Sequence, residues 1–255
     1  MYAIFKREFL QYFRSPVGYV AIAIFSFLAG FIFYSQYASG AVSISSEVIS
    51  LRSFFVVIVP IITMASFAED KKRGTDVLYY TTPVDLFSVV AGKFLAALAL
   101  FGIMFINVFA QMIVTVANGG IVDVGAWGSV IVFFFMAAMF ISVGLMASAL
   151  NDSQIVSAIV TFVIILIFQI LSTISDYAKT AANAVLFSIT QNNDLSVSTG
   201  EKIAGLINWF DPFARTADFR SGVFSVSALI FCLSVAIVFL YVTYRILEKK
   251  RWSQG

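Results

Sequence analysis

The chain has 255 residues, of which 60% are hydrophobic and 12% charged, with 28 Phe, no His, one Cys and a formal net charge of +2. Its mean hydropathy is +0.96, and its charged share is about half of the ~25% carried by soluble domains, so water is excluded as the main solvent. Disulfides, His-based proton relays and most metal sites are excluded with it, and Cys232 in "ALIFCLSVAIVFL" reads as a small apolar residue.

In a bilayer, backbone N–H and C=O groups must find partners within the chain, so spans are helices or closed barrels. Long unbroken apolar runs select helices, and the expected fold class is an all-α polytopic membrane protein in a single domain over 1–255. Before the first span, Tyr2, Phe5, Phe9, Tyr12 and Phe13 fall on one helical arc, with Lys6, Arg7, Gln11 and Arg14 away from it. That pattern predicts an amphipathic helix over 1–16 lying in the membrane interface, with Phe5, Phe9 and Phe13 as its apolar face. It serves as an anchor or as a lever on a partner. Pro16 separates it from the first span, and no cleavable signal peptide is expected.

Six transmembrane helices are predicted at 17–36, 53–68, 89–117, 127–150, 154–174 and 223–246. The second is short; it is expected to extend upstream with Arg52 reaching toward the headgroups, and Pro60 is expected to kink it. Asn151 to Ser153 is so short a link that spans four and five must form a hairpin. The segment 175–222 is expected to be extracytoplasmic or re-entrant, with "AANAVLFSIT" and "EKIAGLINWF" as short helices. With both termini in the cytoplasm, eleven of the sixteen Lys and Arg fall inside, including Lys6, Arg7, Lys71, Lys72, Arg73 and Lys249.

Polar residues inside the spans are few. Asn107 and Gln111, at i and i+4, share a helix face, and Gln169 lies in span five. These line a translocation path or tie helices together. No intramembrane Asp, Glu, Lys or Arg is expected beside them, which disfavours an ion-coupled carrier. Gly144 and Ser148, with Ala137 and Ser142, give span four a small-residue face for close packing or a dimer seam. Asp211, Arg215, Asp218 and Arg220 suit salt bridges at a membrane rim, and no nucleophile–base pair supports an intramembrane enzyme.

Between spans two and three stands the charge run Glu69, Asp70, Lys71, Lys72 and Arg73, followed by Gly74 and Thr75. Thr75 can cap a short helix over "TDVLYY", with Asp76 favourable at its first turn. Asp85 can cap the next helix, which carries Lys93. A helix presenting Val77, Leu78 and Tyr79, flanked by charge, fits a groove on another protein; a basic loop lying on lipid is the alternative.

The pattern "FAEDKKRGTDVLYYTTPVDLFSVVAGKFLAAL" resembles the hallmark stretch of ABC-2-type transporter permeases. "IFKREFLQYFRSPVGYVAIAIF" and "DPFARTADFRSGVFSVSALIFCLSVAIVFLYVTYRILEKKRW" are similar to the two ends of the branch that includes gliding-motility and nitrous-oxide-reductase-maturation permeases. Asp76 stands where Glu is usual, and Tyr79 and Tyr80 where leucines are usual.

The resemblance implies a type V exporter-like membrane domain of six spans in the bacterial inner membrane. It implies a cytoplasmic coupling segment over 69–85, in which Glu69, Gly74, Thr75, Asp76, Val77 and Leu78 dock on an ABC ATPase (nucleotide-binding) subunit. No cofactor is expected on this chain, because Gly92 and Lys93 lack the rest of a phosphate-binding loop; ATP and Mg belong to the partner. The expected partners are that ATPase, a second identical or sister permease, an extracytoplasmic accessory protein and membrane lipid, with no nucleic acid. The function implied is export driven by ATP, the alternative being a mechanotransmitting or anchoring subunit that moves no solute.

Overall fold

A computed structural model describes residues 1–40, 42–77, 85–190, 193–217, 219 and 225–253. Every regular element among them is a helix: α1 (Tyr2–Arg14), α2 (Pro16–Ala38), α3 (Ile44–Arg52), α4 (Phe55–Thr63), α5 (Ala68–Lys72), α6 (Leu86–Ala117), α7 (Val124–Leu150), α8 (Gln154–Thr190), α9 (Asn193–Phe210), α10 (Pro212–Arg215) and α11 (Val226–Ser253). Five of these, α2, α6, α7, α8 and α11, are long and apolar enough to cross a bilayer, and a sixth span is possible only if the bent pair α3 and α4–α5 counts as one.

Short polar residues set the helix boundaries. Pro16 opens α2 at its first turn, where a missing N–H costs nothing. Asp85 caps α6 as its sequence suggests, accepting from Phe87 N at 3.1 Å, and Asp123 caps α7 by accepting from Ala126 N at 3.0 Å. Gly18 lets α2 turn tightly against α1, since a Cβ there would stand 2.5 Å from the Tyr12 carbonyl oxygen.

Helix α7 is the axis of the bundle. Its most apolar stretch is 78% buried, against 17% for that of α8 and 22% for those of α2 and α11, which turn Phe27, Phe31, Ile159 and Ile237 outward. The core around α7 is aromatic. Phe55 of α4 stacks on Phe133 of α7 at 4.7 Å and meets Phe140 at 5.4 Å, while Phe101 of α6 lies 5.6 Å from Phe133 and 6.0 Å from Phe25 of α2. Such pairs add about 0.5–1.5 kcal/mol each beyond their buried area. Part of the phenylalanine content is thus interior packing. Cys232 is buried in the same core.

Several expectations change. The bend in the second hydrophobic segment, 60°, falls at the break between Arg52 and Phe55, and Pro60 sits within α4. Gln169 Nε2 donates to the Ser53 carbonyl at 2.6 Å, satisfying backbone that the break exposes. Arg52 is turned into the protein instead of toward headgroups, donating to Thr216 Oγ1 at 2.9 Å. The two short helices expected in 175–222 are parts of longer ones: α8 runs on to Thr190, and α9 returns beside it, with Ser175 Oγ donating to the Ala204 carbonyl at 3.1 Å. At 37 residues α8 is about 55 Å long, well beyond a hydrocarbon layer of about 30 Å.

The small-residue face of α7 serves packing within the chain. A Cβ at Gly144 would lie 2.2 Å from Thr63 Oγ1 of α4. Ser148 Oγ accepts from the Phe67 and Ala68 amides at 3.0 and 3.1 Å and donates to the Met64 carbonyl at 3.2 Å, filling the gap in the backbone ladder between α4 and α5. The rim salt bridge open to Asp211 and Arg215 is replaced by other contacts: Asp211 Oδ1 caps α10 through Phe213 N at 2.8 Å, and Arg215 stacks on aromatic rings. Asp218 and Arg220 lie outside the described residues.

Candidate functional site

Lys93 stands at the start of the third turn of α6, in an apolar stretch, with 1% of its surface exposed. A bare ammonium there would cost several kcal/mol. Its Nζ lies 2.7 Å from Glu8 Oε2 of α1, 2.7 Å from Asp70 Oδ2 of α5 and 2.6 Å from the Ser66 carbonyl, and 5.1 Å from the centre of the Phe67 ring. Three donors of one ammonium thus meet three oxygens, and three helices meet at one atom. Arg7 Nε donates to the other Glu8 oxygen at 3.1 Å, so two cations balance the two carboxylates. Buried charge therefore exists in this chain, contrary to the expectation of none, and at this junction it is paired.

The α1 helix is rotated relative to the simple amphipathic picture. Glu8 and Tyr12 are its buried residues, while Phe5, Phe9 and Phe13 form a half-buried stripe along its flank, with ring centres 5.8 and 5.2 Å apart. Tyr12 donates to the Ile62 carbonyl at 3.0 Å, and burial raises its hydroxyl pKa well above the ordinary value, keeping the donor protonated. Gly92 permits the approach of α1 to α6, because a Cβ there would come within 2.9 Å of Ile4 Cγ2.

Helix α5 is held on every side despite having five residues. Besides Asp70 on Lys93, Lys71 Nζ lies 3.1 Å from the Asn151 carbonyl and 3.3 Å from Asp152 Oδ1 in the α7–α8 turn, where a cation complements helix-terminal carbonyls. Glu69 pairs with Arg73 one turn on, and Gln11 of α1 reaches its other oxygen at 3.5 Å.

Gly74 then stops the helix. Its φ of +67° is left-handed, Gly74 N donates to the Lys71 carbonyl at 3.0 Å and Thr75 N to the Asp70 carbonyl at 2.9 Å, which is the Schellman pattern. Thr75 Oγ1 also points back, donating to the Asp70 carbonyl at 3.1 Å. The Gly-Thr pair is thus the end of α5. The forward cap expected of Thr75 would involve residues 77 and 78, and Leu78, with Tyr79 and Tyr80, lies outside the described residues. Arg73, Gly74, Thr75 and Val77 are exposed and Asp76 is half-buried, so this segment offers a surface beside the knot.

The residues considered for a path are placed apart from this junction. Asn107 Nδ2 donates to Ser26 Oγ of α2 at 2.8 Å and to the Met104 carbonyl at 3.0 Å, and Gln169 is committed to Ser53. Gln111 is buried, and its Oε1 meets no donor among the described residues. Asn107 and Gln169 therefore act as interhelical ties.

Sequence reasoning missed Glu8 and gave Asp70 and Lys93 no shared role. A signal existed: Glu8 sits at the edge of an apolar arc, and Lys93 interrupts "SVVAGKFLAALALF", so each needs a partner. Which partner is a matter of tertiary contact. Comparison with curated proteins gives no match. The model of a family described as ABC-2 family transporter protein matches residues 2–252, a range that takes in α1, the knot and all the long helices. Having that match over almost its whole length, the chain belongs to the ABC-2 transporter family.

Proposed function

We propose that this chain is the permease of an ATP-driven exporter, and that its ATPase docks on the segment that contains Glu69, Gly74, Thr75, Asp76, Val77 and Leu78. Family membership already makes it the membrane subunit of an ABC transporter with an ABC ATPase as partner; export, the docking segment and the orientation are the added reading. The observation that carries it is the Lys93 knot. A push on α5 from outside the bundle reaches α6 through Asp70–Lys93 and α1 through Lys93–Glu8, because one buried ammonium holds both carboxylates at 2.7 Å. Lys71 carries the same displacement to the α7–α8 turn. Nucleotide-driven closure of the ATPase would thus tilt several helices together, the kind of rigid-element motion that switches access from one side to the other.

In this reading the knot end faces the cytoplasm, in agreement with the eleven-to-five distribution of Lys and Arg. ATP and Mg stay on the ATPase. A second permease, identical or a sister, completes the path, and the sequence pattern favours the branch that includes gliding-motility and nitrous-oxide-reductase-maturation permeases. The test is Leu78→Asp in the intact complex. We expect loss of ATPase co-purification, or loss of stimulated turnover, with the folded permease retained; an unchanged complex with unchanged turnover overturns the docking role.

One observation favours the mechanotransmitting alternative. The α8–α9 pair projects helical surface past the length a bilayer requires, enough to hold an accessory protein on the far side. In liposomes carrying the complex, ATP-dependent movement of solute or lipid supports export. Hydrolysis with capture of an outer protein and no flux supports the alternative.

A further inference from the structure

A cleft of about 770 Å³ opens on the flank of the bundle between α7, α8, α9, α10 and α11. Met139 and Phe168 form its floor, and Ile230 and Val238 of α11 stand at its open side, 61% and 57% exposed. The lining is otherwise apolar except for the hydroxyl residues Ser227 and Ser234 and one cation, Arg215. Arg215 Nε donates to the Trp209 carbonyl at 2.7 Å, and its guanidinium lies 4.9 Å from the centre of the Trp209 ring and 4.5 Å from that of Phe231. Neither contact uses the terminal amino groups, and among the described residues none of the ion pairs includes Arg215.

A guanidinium laid over two rings, with its terminal amino groups in no hydrogen bond among the described residues, can bind phosphate through paired charge-assisted hydrogen bonds. The cleft's length points the same way. From Phe231, over which the guanidinium lies, to Val238 along α11 is about 11 Å at the helical rise, within the ~15 Å of hydrocarbon in one leaflet. Trp209 beside the cation is the residue type that marks the headgroup level. A cation and, beyond it, an apolar trough that fits within one leaflet match the two halves of a lipid.

We propose that this cleft binds an anionic phospholipid of the surrounding bilayer, the phosphate on the terminal amino groups of Arg215 and one acyl chain lying along α11 to Val238. The site lies outside the Lys93 junction and does not depend on the direction of transport. The exposed α11 positions are then covered by lipid, which is what an apolar surface at that depth needs.

The test is native mass spectrometry of the detergent-purified, delipidated full chain titrated with palmitoyl-oleoyl phosphatidylglycerol or palmitoyl-oleoyl phosphatidylcholine. The first phosphatidylglycerol should bind about tenfold more tightly than phosphatidylcholine, the worth of one charge-assisted contact. Arg215→Gln should abolish that preference, and Ile230→Trp, which fills the trough from an exposed position and leaves the cation in place, should weaken both lipids. A preference that survives Arg215→Gln overturns the proposal, as does unchanged lipid binding in Ile230→Trp. If Ile230→Trp lowers the dimer population while the lipid adducts persist, the cleft seats a second copy of the chain and the proposal falls.

Discussion

The two ends of this bundle treat buried charge in opposite ways. At the Lys93 end each buried charge has an ionised partner: Glu8 and Asp70 on Lys93, Arg7 on Glu8, Lys71 on Asp152. Toward the α3–α4 bend, ionisable side chains that are buried or half-buried meet neutral groups or nothing. Arg52 ends on the Thr216 hydroxyl, Arg215 on rings and a carbonyl, and Glu47, fully buried in α3, has both carboxylate oxygens without a donor among the described residues. A closed ion network fixes geometry, because moving one member strands the others; a charge with no ionic partner leaves its surroundings free to rearrange. The difference suits a permease that is gripped at one end and changes shape toward the other.

Removing the centre of the network is the most severe way to break this contrast. Lys93→Met leaves two buried carboxylates facing each other, and we expect a loss of about 3–5 kcal/mol, read as a large drop in thermal unfolding temperature in detergent. Adding Glu8→Gln and Asp70→Asn to Lys93→Met should recover much of it. If the triple variant is no more stable than Lys93→Met, the pairing assigned to the knot is wrong.

Next in size is the seam that connects the two ends, where α4 lies against α7. Gly144→Ala puts a methyl group 2.2 Å from Thr63 Oγ1 and also within 2.8 Å of Thr63 Cβ, so the helices must part. Overpacking of this kind costs about 1–3 kcal/mol. Thr63→Ala in the same chain should return part of that stability, and full tolerance of Gly144→Ala would show that α4 and α7 are not in close contact.

The smallest expected effect sharpens the contrast from the other side. Glu47→Gln replaces a buried carboxyl group that has no partner to lose among the described residues, so the unfolding free energy should stay within about 1 kcal/mol of the parent or rise. Asp70→Asn, the same chemical change at the knot, should lower it. Equal effects at the two positions would erase the distinction.

Much of the architecture is legible in the sequence, and particular residues show why. The cap at Asp85, the break at Pro16 and the hairpin at Asn151 to Ser153 depend on groups a few residues apart, which the local chain already holds together. Other features have the right residue in the sequence and the wrong partner. Thr75 donates back to the Asp70 carbonyl, a contact its reading as a forward cap does not include. Pro60 reads as the site of a bend that falls earlier in the chain, at the α3–α4 break, since a proline within a membrane helix can be accommodated by its neighbours. The short helices expected past span five are segments of α8 and α9, because flanking turns and packing between the two override the polar interruption.

By itself the sequence determined that this is a helical membrane protein, where its apolar helices run, and that a charged segment divides the second from the third. Hydropathy and helical period are properties of neighbouring residues and need no fold to be read. Tertiary structure alone decided that Glu8 meets Lys93, 85 positions away, that Gly144 admits Thr63, and that Gln169 mends the backbone at Ser53. The reason is energetic: a buried ammonium or an exposed carbonyl must be satisfied by something, but the chain's order does not say by which residue, and only the packing of helices around α7 brings that residue within reach.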